Sequence, residues 1–200
     1  MLTQCMGIPH ISTGDMLRDR IRAGAAGTAV VATMQSGALV SDEVVNRMVK
    51  ERLIQPDAAR GFVLDGYPRT LSQADHLHDA LEARGLCEVV IYLAVDYNIV
   101  IARLTGRRQC PRCGTLYNLA TQRPRVDELC DLDGEKLVIR DDDKESVIRE
   151  RLDAYDRQTR PVLEHYKGAG RWVVELDASH DSPDVVFRKI CQAIEADDRA

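Results

Sequence analysis

The chain has little of what would place it outside the ordinary globular class. No apolar stretch approaches the roughly 18 to 20 residues needed to cross a bilayer, and Met1-Leu2-Thr3-Gln4-Cys5-Met6 has neither the basic flank nor the apolar core of a signal peptide. Only 13 Gly and 7 Pro occur in 200 residues, which excludes collagen-like and low-complexity chains, and 44% hydrophobic content excludes disorder. A basic surplus is also lacking: the formal charge of -5 argues against bulk electrostatic capture of nucleic acid. These absences predict a soluble, cytoplasmic protein of one packed domain with room for small inserted lobes.

Lysine is scarce. Of 27 basic residues 22 are Arg and 5 are Lys, so the chain is rich in planar forks suited to phosphate, unless base composition alone accounts for the bias. Six cysteines without a secretion signal do not read as a disulfide framework, and metal binding becomes the better question.

The elements alternate as in an α/β fold. Short apolar runs at Ile8 to Ile11, Phe62 to Asp65, Val89 to Leu93 and Trp172 to Leu176 predict strands, those at 62–65 and 89–93 of the kind buried on both faces in a parallel sheet. Helices are predicted over Met16 to Ala23, Thr28 to Ser36, Asp42 to Gln55, Ser72 to Arg84, Asn98 to Thr105, Lys144 to about Lys167 and Asp184 to about Ala196. The helix at 42–55 carries Val44, Val45, Met48, Val49 and Leu53 along one face. Between Arg107 and Arg140 the texture changes to a Cys-, Gly- and Pro-bearing segment that reads as an insertion.

Cys110, Cys113, Cys130 and Asp133 form the pattern C-x2-C-x16-C-x2-D. Three thiolates and one carboxylate make a tetrahedral set with no open position, so the site predicts structural Zn2+ that replaces a core too small to hold itself; the alternative is reduced, solvent-facing cysteines. Cys87 and Cys191 have no partner at ligand spacing and read as small buried hydrophobes.

Arginines recur where anions bind. Ser12-Thr13-Gly14-Asp15-Met16-Leu17-Arg18 places a hydroxyl at a helix entrance and an Arg one turn in, or is an ordinary N-cap. Leu64-Asp65-Gly66-Tyr67-Pro68-Arg69 ends an apolar strand and turns sharply, at the carboxyl edge where open α/β sheets hold ligands. Arg103 and Arg107 are expected on one face across a helix end, a position that also complements the helix dipole. Arg140-Asp141-Asp142-Asp143, then Arg149 and Arg151, combine acids and arginines at the start of the long helix, a pattern that acid capping and surface ion pairs would also produce.

The ordered set Gly7 to Arg18, Leu64 to Thr70, Gly106-Arg107-Arg108 and Arg140 to Asp143 resembles adenylate kinases of the long-lid, zinc-bearing bacterial type, from about Gly7 to the C-terminus. The resemblance implies the reaction ATP + AMP to 2 ADP with Mg2+, in a monomer that binds neither nucleic acid nor membrane. It implies a P-loop nucleoside-monophosphate-kinase-like parallel sheet with helices on both faces and a small zinc-bearing β lid. The core would comprise 1–11, 42–106 and 145–200, the AMP-binding subdomain 12–41 and the lid 107–144.

By the same resemblance Thr13, Arg18, the backbone of Ala38, Leu39 and Val40, and Gly66, Tyr67, Pro68, Arg69 and Gln73 would bind AMP. Arg69 would meet its phosphate and Gln73 its adenine edge. Arg140 and Arg151 would bridge toward the transferred group. Arg103, Arg107, Leu116, Tyr117 and His180 would lie on the ATP side. Asp65 would orient Mg2+ through water, and Asp142 and Asp143 would latch the closed lid. Arg forks around equatorial oxygens suit a reaction that needs positioned charge more than covalent chemistry.

No Gly-Lys followed by Ser or Thr occurs anywhere, so the family's P-loop is not in this sequence. Met1 to Met6 matches the end of the helix that follows that loop. The family's first strand, central in the sheet between those matching 62–65 and 89–93, is thus expected to be missing, which would leave unpaired backbone and exposed apolar faces. Either the recorded start is an internal Met of a longer enzyme, the reading preferred here, or the chain is a true truncation; in both cases the 200 residues alone are expected to be poorly stable and nearly inactive. A non-catalytic AMP-binding or scaffold remnant, a zinc-ribbon nucleic-acid-binding module and a kinase for another nucleoside monophosphate are the alternatives; Thr13 and Gln73 favour AMP.

Overall fold

The computed structural model describes residues 1–197. In chain order the elements are α1 (Leu2–Met6), β1 (His10–Ser12), α2 (Thr13–Arg22), α3 (Thr28–Ser36), α4 (Asp42–Leu53), β2 (Val63–Asp65), α5 (Leu71–Glu82), β3 (Val90–Ala94) and α6 (Tyr97–Thr105). Then follow β4 (Arg107–Gln109), β5 (Leu116–Asn118), α7 (Glu145–Ala154), α8 (Arg160–Gly168), β6 (Val173–Asp177) and α9 (Pro183–Asp197). Among the described residues no helix is long and apolar enough to cross a membrane.

Local chemistry sets the helix ends. Ser12 accepts the Asp15 N–H at 3.3 Å and Thr70 accepts the Gln73 N–H at 3.2 Å, so α2 and α5 start on side-chain caps just after β1 and β2. In α4 the expected stripe is buried at Val45, Met48, Val49 and Leu53, against Ile11, Leu17, Tyr67, Leu77 and Leu81.

The long helix expected at 144–167 is instead two helices joined by a π-helical turn at Tyr155–Thr159. Pro161 supplies no N–H and its ring crowds the preceding turn, so the ladder widens before it. The widened turn has a consequence for the site, because it brings the Thr159 hydroxyl to donate to the Arg69 carbonyl at 3.0 Å.

The parallel strands form two separate pairs. β1 pairs with β2 in the register His10 to Val63 and Ser12 to Asp65, and β3 pairs with β6 from Val90–Val173 to Ala94–Asp177. β2 and β3 are not hydrogen-bonded to each other. One helix joins the pairs: α5 places Leu77 and Leu81 in the cluster with Ile11 and Leu64, and Ala74 in the cluster with Val90 and Val173.

This division corrects the expectation of strands buried on both faces. Val63, Leu64 and most of β3 are only half-buried, and Leu93 is exposed. Among the described residues each pair has no third strand along either edge, so its side chains have partners on fewer sides. Cys87 is also a correction, since it lies exposed in the loop between α5 and β3, while Cys191 is half-buried on α9.

Candidate functional site

The carboxyl ends of β1 and β2 open onto a cavity of about 80 Å³ lined by Thr13, Arg18, Arg69, Gln73, Asp142 and Arg151, with the 37–40 backbone segment along its wall. A larger space of about 310 Å³, between α2, α3 and the segment 138–142, meets it at Arg18, Met34 and Asp142. Folding therefore gathers into one cavity residues that the sequence scatters from Thr13 to Arg151.

Two glycines make the approach close enough. Gly66 has φ +73°, and a Cβ there would stand 2.8 Å from an Arg69 guanidinium nitrogen and 3.2 Å from the Thr13 hydroxyl. Gly37 has φ +82°, and a Cβ there would meet the Val147 carbonyl at 2.7 Å, so α3 can lie against α7 only with glycine. The Thr13 hydroxyl donates to the Gly66 carbonyl at 2.8 Å, and Arg69 Nε donates to the same carbonyl at 2.9 Å. The Tyr67-Pro68 bond between them is cis.

The cations are held by a few carboxylates. Asp142 lies 3.5 Å from both Arg18 and Arg151, and so ties α2 to α7 across the cavity; Arg18 also pairs with Asp15 at 2.7 Å. Asp143, its side chain 0% exposed, receives Arg107 through two bonds of 2.8 and 2.5 Å. Asp143→Ala should therefore cost about 1 to 3 kcal/mol by leaving the Arg107 fork without its acceptor. Urea unfolding would show this, and an unchanged midpoint would contradict it.

Among the described residues Arg69 and Arg140 have no carboxylate at ion-pair distance. Burial lowers the Arg69 pKa from its ordinary value, neighbouring Arg151 lowers it further, and Asp65 opposes the shift. Burial, then Arg18 and Arg107, does the same to Arg140, whose Nε donates to Gln109 Oε1 at 2.7 Å. Both remain cationic at neutral pH, so the site stores like-charge repulsion that an anion would relieve.

Several expected residues lie apart from this cavity. Arg103 and Arg107 do not share a face: the helix ends at Thr105, Arg107 turns to Asp143, and Arg103 donates to the carbonyls of Ala178 and Ser179 at 3.1 and 2.8 Å. His180 is therefore beside the loop that Arg103 anchors. Asp65 is exposed, with His10 Nε2 at 3.3 Å. The Tyr117 phenol points into the cysteine lobe, where it accepts the Asp131 N–H at 2.7 Å, while Leu116 is exposed. Arg149 makes only a surface pair with Glu145 at 2.7 Å.

The cysteine lobe is built from β4 and β5, paired antiparallel, with further bridges Gln109–Val138 and Leu129–Lys136. Its buried cluster is only Cys110, Tyr117, Cys130 and Leu137. Two turns of the same design face each other. Gly114 N–H donates to the Cys110 carbonyl at 3.0 Å and Gly134 N–H to that of Cys130 at 2.9 Å, and both glycines have positive φ. Cys-x-x-Cys-Gly thus matches Cys-x-x-Asp-Gly, which puts Asp133 where Cys113 sits in the first turn.

Cys113 Sγ lies 3.5 Å from Cys130 Sγ, and Cys110 Sγ lies 3.4 Å from both Asp133 oxygens. All four ligand atoms fall within 4.8 Å of one another. A tetrahedral zinc with bonds of ~2.3 Å separates its sulfurs by ~3.8 Å, so the set fits such an ion. Hydrogen bonds from Cys130 and from the Glu135 N–H hold the Asp133 pKa down to about 2, so its carboxylate is ready as a ligand at neutral pH.

Sequence reasoning missed Asp42 and Asn46. Asp42 accepts Gln73 Nε2 at 2.7 Å and the Thr70 hydroxyl at 2.8 Å, and Asn46 accepts the Tyr67 hydroxyl at 2.7 Å. Neither stands in a motif; an acid at a helix start gives no sign of a partner in a distant helix.

A cavity that gathers arginine forks at the carboxyl ends of parallel strands has the donors that suit phosphate in an α/β fold. A family model described as Adenylate kinase matches residues 1–171. An adenylate kinase of Pseudothermotoga lettingae is 47% identical over 169 residues, 84% of this chain and 78% of that protein. One of Syntrophotalea carbinolica is 47% identical over 172 residues, covering 85% and 80%, and one of Thermosipho melanesiensis 42% over 187 residues, covering 92% and 87%. The chain belongs to the adenylate kinase family, and it is a nucleoside monophosphate kinase.

Proposed function

We propose that the protein interconverts ATP + AMP and 2 ADP in the cytoplasm, with AMP held in the cavity between α2, α3 and α5. The convergence of Arg18, Arg69 and Arg151 on one cavity that Gln73 also lines carries this reading. Thr13, Gly66, Tyr67 and Pro68 shape the phosphate end, the 38–40 backbone and Gln73 receive the base, and Arg140 and Arg151 lie toward the transferred group. Arg103, Arg107, Leu116, Tyr117 and His180 form the ATP side. Mg2+, which adenylate kinases use with ATP, supplies charge neutralisation on the phosphates, and exposed Asp65 is the carboxylate for its waters.

The segment 107–144 acts as a lid. Cys110, Cys113, Cys130 and Asp133 would hold Zn2+ there, in a closed coordination set that gives rigidity and no chemistry. Closure would exclude water from the transfer, with Asp142 tying the lid's base to Arg18 on the AMP side.

A second reading, AMP binding with little transfer, is favoured by one observation. No Gly-Lys-Ser/Thr step occurs in these 200 residues, so these residues by themselves supply no P-loop lysine. The protein of these 200 residues should bind AMP while forming ADP from ATP + AMP at a small fraction of the rate usual for enzymes, which is about 10 s⁻¹. A coupled assay decides, and an ordinary turnover would overturn the proposed impairment.

A further inference from the structure

We propose that Asp42 is a specificity-determining residue, which locks the Gln73 amide in the orientation that reads a 6-amino purine and rejects a 6-oxo purine. The inference rests on the reading of the cavity as the AMP site and adds to it a residue that never needs to touch the nucleotide.

The ring of hydrogen bonds around Gln73 has one polarity. Gln73 Oε1 accepts the Arg69 N–H at 2.8 Å, and Gln73 Nε2 donates to Asp42 Oδ1 at 2.7 Å. Asp42 Oδ2 accepts from the Thr70 hydroxyl at 2.8 Å, and that hydroxyl accepts the Gln73 N–H at 3.2 Å. Every group is assigned by its neighbours: a backbone N–H can only donate and a carboxylate can only accept. Gln73 and Thr13 are buried, and among the described residues Asp42 is the acceptor that Gln73 Nε2 finds.

A flipped amide would set Oε1 against the Asp42 carboxylate and Nε2 against the Arg69 N–H, two mismatches in a buried place. The flip matters because an amide is nearly symmetric in shape and opposite in code at its two ends. In the observed orientation one Nε2 hydrogen and one Oε1 lone pair remain. Oε1 can accept from a 6-amino group while Nε2 donates to an unprotonated ring N1, which is the edge of adenine. Hypoxanthine offers a carbonyl oxygen and an N1–H at the same places, and needs the flipped amide. Gln73 alone would serve both bases; Asp42 and the Arg69 N–H decide which.

The bland role for Asp42 is an acid at the first turn of α4, complementing the helix dipole. The two roles separate in the ratio of affinities, since a loosened helix weakens both nucleotides alike. AMP and IMP are titrated calorimetrically into the wild-type protein, Asp42→Asn and Asp42→Ser, with melting curves to show folding. Asparagine cannot accept on both sides, so its own amide can turn to suit a flipped Gln73.

The wild-type protein should prefer AMP over IMP by at least about tenfold, and either folded variant should lose about tenfold of that ratio. A variant that keeps the wild-type ratio overturns the role of Asp42, as does a wild-type protein that binds the two nucleotides equally while still binding AMP. Failure to bind AMP at all would instead overturn the reading of the cavity itself.

Discussion

Arg69→Ala is expected to lower kcat/KM about 30- to 1,000-fold, a loss of ~2 to 4 kcal/mol of transition-state stabilisation, while the protein melts where it did before. Arg69 is fixed from three directions: its Nε bonds the Gly66 carbonyl, its N–H bonds Gln73, and its carbonyl receives the Thr159 hydroxyl. The remaining fork faces the cavity. It is costly to the resting protein, because burial and Arg151 both disfavour its charge. Removing it should therefore leave folding intact, and Arg69→Lys should restore charge without the planar fork and recover only part of the rate. An unchanged kcat/KM would remove Arg69 from the reaction.

Loss of the proposed Zn2+ should have the larger effect on stability. A buried apolar cluster of Cys110, Tyr117, Cys130 and Leu137 cannot hold a lobe of this length. Structural zinc supplies on the order of 10 kcal/mol or more to such units, so Cys110→Ser, or chelation, should melt the segment 107–144 on its own. The expected signs are a fall in melting temperature on the order of 10 °C and new protease cuts between β5 and α7. Binding of AMP between α2 and α5 should survive in weakened form, because Thr13, Arg18, Arg69, Gln73 and Arg151 lie outside the melted segment while Asp142 lies within it. Apo and holo proteins that melt alike would refute the structural role of the metal.

The helices were legible because their signals are local. The apolar stripe of α4 and the Ser12 cap each lie within a few turns of chain, and α3 falls at Thr28–Ser36 as expected. What failed was non-local. The apolar runs at 62–65 and 89–93 read as doubly buried, yet burial depends on which strands stand beside them, and each strand has one neighbour. The long helix was read through Pro161, where the π-helical turn intervenes.

The site divides in the same way. The positions of Thr13, Arg18, Arg69, Gln73 and Arg151 were accessible through family-like motifs, and the fold gathers them. Arg103 and Arg107 were wrongly given a common face because helical spacing was extended past Gly106. The clustering of Cys110, Cys113, Cys130 and Asp133 is legible from their spacing, and the glycine after both Cys113 and Asp133 marks the two turns as alike. Asp42 had no sequence signal, since its partner Gln73 lies 31 positions away.

Whether this chain builds an AMP site from its own residues is tested most directly by calorimetric titration of AMP into the protein prepared with Zn2+. The account predicts saturable binding of one AMP per chain that weakens sharply in Arg69→Ala. Absence of binding in a folded protein, or binding indifferent to Arg69, would contradict it.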